Sequence, residues 1–157
     1  MSCLVSVQRS LFNYDLMYDK IDHVAIAVRS LSAGEALMKN LGFVCKKRER
    51  VTEQGVTVAF FDVGGVHVEL LEPEDFDGPI GRYLGDRDAV FHHVAFASSA
   101  LDADMESLCC VGLSFTSSSP SSGANGKRVA FLHPKSSLGL LFELCQEANG
   151  QRASEKG

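Results

Sequence analysis

The chain has no Cys-x-x-Cys pair, no long apolar run and no basic stretch, and each absence removes a class of function. Its five cysteines, Cys3, Cys45, Cys109, Cys110 and Cys145, are odd in number. They support neither a disulfide framework nor a thiolate zinc site, and reduced thiols in an intracellular compartment are the expectation. No apolar run approaches the roughly 18 residues needed to span a bilayer, and the opening residues lack the apolar core of a secretory signal. The net charge is −5, and the one basic cluster, Lys46-Lys47-Arg48 with Arg50, is interrupted by Glu49. Neither nucleic acid nor a membrane is an expected partner. What remains is ordinary for a globular protein: 157 residues, 45% hydrophobic and 22% charged, enough for one well-cored domain.

A five-residue stretch is used twice. His23-Val24-Ala25-Ile26-Ala27 returns 70 positions later as His93-Val94-Ala95-Phe96-Ala97. Both alternate on a period of two, with His and two alanines on one face and bulky residues on the other. That pattern is a half-buried strand whose small face lines a concavity. Further matches follow in order: Leu41-Gly42-Phe43 with Val111-Gly112-Leu113, Val58-Ala59-Phe60-Phe61 with Val129-Ala130-Phe131-Leu132, and Val68-Glu69-Leu70 with Phe142-Glu143-Leu144. Constant order at a near-constant offset is an internal duplication. Each copy opens with a strand-borne His and closes with a strand-borne Glu. Two His and two Glu at equivalent places point to a shared site on a pseudo-twofold axis, and that donor set suits a divalent metal.

The pattern predicts an α+β fold of two tandem β-α-β-β-β modules that form a curved eight-stranded sheet around a metal-binding cleft. In the first module strand 21–28 precedes Ser32, read as an N-cap with Glu35 completing a capping box. Helix 33–40 follows, with Ala33, Ala36 and Leu37 turned inward, then strands 43–50, 56–63 and 66–72. Residues 73–90 form a linker with a short helix around 78–84. The second module reads as strand 91–98, helix 100–110, then strands 113–117, 127–133 and 139–146, with a polar loop at 117–126. The modules run over about 19–72 and 91–147 of one domain, 19–147. Residues 1–18 form an extension that fits neither copy and, with a single Arg9, gives thin support for a mitochondrial presequence. Residues 148–157 are a polar tail.

This duplicated unit resembles the vicinal-oxygen-chelate superfamily, which includes glyoxalase I and extradiol dioxygenases. Within it the chain is similar to the methylmalonyl-CoA epimerase family over nearly all of residues 20–147. The resemblance is carried by Asp22-His23-Val24-Ala25-Ile26-Ala27-Val28, Gln54-Gly55-Val56, Val68-Glu69-Leu70-Leu71-Glu72-Pro73 and His92-His93-Val94-Ala95. It continues in Gly123-Ala124-Asn125-Gly126-Lys127, Phe131-Leu132-His133-Pro134-Lys135-Ser136 and Phe142-Glu143-Leu144. It implies a divalent metal, Co²⁺ first and Mn²⁺, Ni²⁺ or Zn²⁺ next, held by His23, His93, Glu143 and Glu69. It further implies interconversion of the C2 epimers of an acyl-CoA substrate, methylmalonyl-CoA. Glu143, closing the second module on a strand that faces the site, is the expected catalytic base, and its pseudo-symmetric counterpart Glu69 is expected to serve the opposite face, ahead of a metal-bound water or a group from the Gly123–Lys127 loop. A homodimer is implied too, in the mitochondrial matrix of a eukaryote or the cytoplasm of a bacterium. One departure concerns Val58, at a position where some members carry a third-strand Glu.

Alternatives are a glyoxalase-I-like lactoylglutathione lyase, an iron dioxygenase, and a non-catalytic small-molecule binder on the same fold. The extra Glu69 argues against the dioxygenase. Other residues carry plainer expectations. Strand alternation places His92 on the face opposite His93. His67 shares the face of Glu69, His133 with Lys135 ends a strand, and Cys109-Cys110 packs on the second helix.

Overall fold

The computed structural model describes Tyr18 and residues 20–148; the expected N-terminal extension up to residue 17 and nearly all of the polar tail lie outside the described residues. Two strands at the centre organise the rest. β1 (Ile21–Val28) and β5 (Ala89–Ala97), the strands that carry the repeated His, pair antiparallel with each other. From each side of this pair one module extends outward. On the first side lie β4 (Val66–Pro73), parallel to β1, then β3 (Val56–Val63) and the edge strand β2 (Cys45–Val51). On the second lie β8 (Phe142–Gln146), parallel to β5, then β7 (Arg128–Phe131) and β6 (Ser121–Ser122). The result is one eight-stranded sheet in the order β2-β3-β4-β1-β5-β8-β7-β6, curled into a half-barrel.

Each module lays its helix on the bulky face of its strands. Leu31 and Met38 of α1 (Leu31–Asn40) pack with Val28, Ala59, Phe61 and Leu70. Leu101 and Met105 of α3 (Leu101–Cys110) pack with Ala130 and Leu144, joined by Tyr18 and Phe96, whose rings stack. The opposite, concave face has its own apolar clusters, Ala25 with Val51, Val56, Val58, Phe60 and Leu71, and Ala95 with Val129 and Cys145.

Four expectations are corrected. α1 starts at Leu31 and its N-cap is Ser30, whose hydroxyl accepts from the Ala33 amide at 3.3 Å. The Leu31 amide donates to the Glu72 carboxylate on β4, a partner 41 residues away that moves the helix start ahead of Ser32. The inward stripe of α1 is therefore Leu31, Gly34 and Met38, while Ala33 and Ala36 are exposed and Leu37 is 60% exposed. Gly34 is needed there, because a Cβ would stand 2.7 Å from Leu70 Cδ1. The strand expected at 113–117 is reduced to one bridge, Phe115 to Leu132, with backbone bonds from Thr116 to Phe131 and from His133 to Ser114. The sheet position passes to Ser121-Ser122 inside the expected loop, where Gly123 lets Val129 approach to 2.6 Å of where a Cβ would be. Cys109 and Cys110 are exposed rather than packed.

The connection between modules carries α2 (Pro79–Leu84), whose Leu84 is fully buried. Gly81 there sits against the backbone of Phe76, and a Cβ would lie 2.3 Å from the Phe76 carbonyl oxygen. The obstacle is main chain and cannot turn aside as a side chain would. Gly81→Ala is expected to lose about 1–3 kcal/mol or more of stability, read as a lower urea midpoint. An unchanged midpoint would show that this connection can yield.

Candidate metal centre

Register alone brings the repeated residues together. On the concave face His23 lies across from Ala95, which lies across from Glu143; one row along, His93 lies across from Ala25, which lies across from Glu69. Two rows related by the central strand pair thus present two His and two Glu above a floor of two alanines, both 0% exposed. The small residues are what leaves space for the site. All four functional side chains belong to buried residues.

Both central strands carry a β-bulge, placed symmetrically. Ile21 pairs with Phe96 and His23 with Ala95, so Asp22 is the extra residue of β1. Ala25 pairs with His93 and Ile26 with Phe91, so His92 is the extra residue of β5. A bulge breaks the strict alternation of side chains. Each extra residue turns toward the His that follows it. Asp22 Oδ1 accepts from His23 Nδ1 at 2.9 Å, and His92 Nδ1 lies 2.7 Å from His93 Nδ1. The expectation that His92 points away from His93 is overturned by this bulge. It also packs edge-on against Tyr83.

Beyond the bulges the two imidazoles converge. His23 Nε2 stands 3.0 Å from His93 Nε2. The Glu143 carboxylate reaches both, with Oε1 at 3.6 Å from His23 Nε2 and Oε2 at 3.3 Å from His93 Nε2. His23, His93 and Glu143 offer donor atoms that all lie within 4.8 Å of one another. Glu69 does not join that trio: the His23 nitrogen nearest it is Nδ1, at 3.7 Å from Oε1. Val58 is buried among Ala25, Phe60 and Leu71 and brings no proton-transfer group.

Electrostatics follow burial. Burial pushes the Glu143 carboxyl up to about 8 against the pull of His23, with the Glu69 charge adding to the rise. Glu69 is raised by the same desolvation, which outweighs His23. Burial opposes a charge on His23, yet its bond to Asp22 and the charges of Glu69 and Glu143 lift it above the usual histidine value. His93 is held well below that value by burial and by the neighbouring His92 and His23. Asp22 is buried too, but the bonds from His23 and Lys127 win and keep it well below the usual carboxylate range.

A divalent ion fits these residues on a direct observation. Glu143 Oε1 is buried without a hydrogen-bond partner, 3.6 Å from His23 Nε2. Leaving such an oxygen unpaired is costly, and a cation among the three side chains satisfies it. Imidazole and carboxylate donors suit borderline divalent metals.

The contacts that Asp22, His92 and Lys127 make at the site are visible only in the structure. Lys127 donates to both oxygens of Asp22 at 2.7 Å, across 105 residues. The loop that delivers it is also tied to the first module by Asn125 N–H to Glu49 and Ser122 N–H to Glu53. His67 lines a basin with Lys46, Lys47, Lys127 and Glu147. The Asp22 side of that arrangement had no sequence signal beyond its place beside His23.

A half-barrel from two βαβββ units with a His-His-Glu centre between them defines the class. Residues 22–131 match the model of the Glyoxalase/Bleomycin resistance protein/Dioxygenase superfamily, and the chain belongs to that superfamily. Its relatives narrow the comparison. The chain is 36% identical to human mitochondrial methylmalonyl-CoA epimerase, covering 81% of this chain and 73% of that protein. It is also 36% identical to the ethylmalonyl-CoA/methylmalonyl-CoA epimerase of Cereibacter sphaeroides (83% and 99%) and to the uncharacterized YqjC of Bacillus subtilis (85% and 96%). Among solved structures, a Ser-to-Thr variant of Streptomyces coelicolor methylmalonyl-CoA epimerase in complex with 2-nitronate-propionyl-CoA superposes with a TM-score of 0.80. It is 32% identical, over 86% of this chain and 99% of that one. The named enzymes among these relatives are isomerases that act on an acyl-CoA.

Proposed function

We propose that the protein is a methylmalonyl-CoA epimerase, interconverting the R and S forms by removing and returning the C2 proton. The observation that carries this reading is the convergence of His23, His93 and Glu143 around the unpartnered Glu143 Oε1, in a chain whose named relatives are such epimerases. In this proposal His23, His93 and Glu143 hold a divalent ion, Co²⁺ first, with Mn²⁺, Ni²⁺ or Zn²⁺ as alternatives, and Glu69, apart from that trio in the metal-free arrangement, would complete the set by moving in when the ion binds. Bound there, the ion supplies Lewis acidity for the negative charge that develops on the thioester oxygen when C2 loses its proton.

The chain's own residues handle the proton. Glu143, buried at the centre with one carboxylate oxygen unpaired, is the base that accepts a C2 proton and returns it. Glu69 lies on the other side of the β1/β5 axis and serves the opposite face of C2. Val58 being apolar, this pair leaves no third-strand carboxylate to invoke. The alanine floor gives the C2 substituents room, and the buried surroundings keep bulk water from quenching the carbanion. The same reading places the protein in a homodimer, and in the mitochondrial matrix or the bacterial cytoplasm. No helix among the described residues is long and apolar enough to cross a membrane.

The test is C2 hydrogen–deuterium exchange of methylmalonyl-CoA by metal-free protein with each metal added back. Methylglyoxal–glutathione hemithioacetal is the comparison substrate. Exchange restored by metal on methylmalonyl-CoA alone is expected. Turnover of the hemithioacetal instead would make the protein a lactoylglutathione lyase, and metal binding without either reaction would make it a binding protein. His23→Ala and His93→Ala are each expected to abolish stoichiometric metal, measured by elemental analysis after dialysis. A double variant that keeps metal with unchanged affinity would remove both from the centre.

A further inference from the structure

We infer that residues 121–127 form a strap that closes the first-module half of the cleft and must lift to admit an acyl-CoA. The substrate is that of the reading above, whereas the strap is read from contacts elsewhere in the cleft. The segment comprises β6, Gly123 and the turn to Lys127, all in the second module. Three carboxylates of the first module hold it. Glu53 Oε2 accepts from the Ser122 amide at 3.0 Å, Glu49 Oε1 from the Asn125 amide at 3.1 Å, and Asp22 from the Lys127 ammonium at 2.7 Å. Between these points Ala124 packs on the concave cluster of Ala25, Val51, Val56, Val58, Phe60 and Leu71. That cluster is the first-module wall of the cleft. It runs up to the centre, because Ala25 and Phe60 are the neighbours of Glu69 across the sheet.

Access is the reason for a moving part. His23, Glu69, His93 and Glu143 are between 2% and 6% exposed. A thioester whose C2 stands between Glu143 and Glu69 cannot enter without displacing a cover. The strands around the centre are fixed by ladder bonds, and α2 is anchored by buried Leu84 and by Gly81 against the Phe76 backbone. The strap is held differently. β6 pairs through two residues, Ser121 with Val129 and Ser122 with Arg128. Its bonds to Glu53 and Glu49 are exposed, and its apolar hold on the first module is Ala124. It turns on two consecutive left-handed residues, Asn125 (φ 59°) and Gly126 (φ 68°), residue types that adopt that conformation at least cost. Few buried apolar contacts and exposed hydrogen bonds mark the segments of a fold that open first. Closed again over substrate, the same segment excludes water.

Cys145 is a built-in probe of opening that needs neither metal nor substrate. It is 2% exposed on the concave face, with its thiol within 4.8 Å of the facing atoms of Asp22 and His23, beside the strap's anchor at Lys127. In metal-free protein the rate of N-ethylmaleimide addition at Cys145 is followed by peptide mass spectrometry. It is expected to rise about 10-fold when Glu49→Gln and Glu53→Gln are combined, since two charge-assisted bonds become neutral ones. Glu35→Gln breaks an exposed pair with Arg48 instead and is expected to leave the rate unchanged, with circular dichroism confirming both folds. For turnover, Glu53→Cys with Ser122→Cys is tethered by a short bis-methanethiosulfonate that reductant cleaves. C2 exchange of methylmalonyl-CoA is expected to stop in the tethered protein and return with dithiothreitol, while wild type treated alike keeps its activity. Unchanged Cys145 alkylation in the double glutamine variant, or full turnover with the tether in place, would overturn the strap. Faster alkylation in a protein that exchanges no methylmalonyl-CoA, tethered or not, would uphold the strap and overturn the epimerase reading instead.

Discussion

Glu143→Gln is expected to cut epimerisation of methylmalonyl-CoA by about 10²–10⁴-fold in protein shown by elemental analysis to be metal-replete. The side chain is 2% exposed and one of its oxygens has no partner. A carboxylate can take and return a proton at C2, and an amide of the same shape cannot. Glu69→Gln is expected to block turnover as well, because a proton removed on one face must be returned on the other. Isotope exchange separates the two. If each carboxylate serves one face, each variant stops epimerisation, yet one of them still washes the C2 hydrogen out of one epimer only. Near-normal epimerisation by metal-replete Glu143→Gln would exclude Glu143 from the chemistry. Equal, partial loss of exchange from both epimers in Glu69→Gln would leave Glu69 as a ligand alone.

Removing the metal is expected to produce a protein whose stability falls as pH rises through neutrality, with the loss reversed by added Co²⁺. The sign follows from three groups that act together. Glu143 and Glu69 bind protons more tightly in the folded protein than in the unfolded chain, because burial disfavours their charge. His23 does so because of its anionic neighbours, which overcome the penalty of burial. Between the ordinary histidine value and about 8 the folded state holds more protons, so unfolding becomes easier as pH increases, whereas below it the depressed His92 and His93, protonated in the unfolded chain, oppose the three. Within that window Glu143 alone sets a slope of about 1.4 kcal/mol per pH unit. Asp22 acts in the opposite sense, its stabilisation being present above the ordinary carboxylate value and lost in stronger acid. Thermal melts of chelator-treated protein from pH 5 to pH 9 measure the slope. Binding a metal displaces the protons of Glu143 and His23, so calorimetry in buffers of different ionisation heat should show proton release that shrinks well above pH 8. A flat melting profile without metal, equal in the Glu143→Gln variant, would show that these groups are not strained by burial.

The duplication, the alternating strands and the four residues His23, Glu69, His93 and Glu143 were legible in the sequence because a strand's faces depend only on counting by two. Equal spacing in two copies then implied two equivalent edges joined along a common axis, and the β1/β5 pairing is that axis. Counting failed where a partner distant in the chain altered the local rule. Glu72 reached the Leu31 amide and moved the helix start. A Ser-rich stretch without an apolar face became β6, since an edge position in a sheet asks only for backbone bonds and the clearance that Gly123 gives. The two bulges matter most to the site. A bulge is a property of a strand pair: one extra residue on one side is visible only when both registers are known. The sequence by itself therefore determined the fold class and which His and Glu side chains share the concave face. Only the tertiary structure decided that Asp22 and His92 stand behind the two histidines, that Lys127 crosses from the other module to hold Asp22, and that Glu143 meets both rings while Glu69 lies at the far nitrogen of His23.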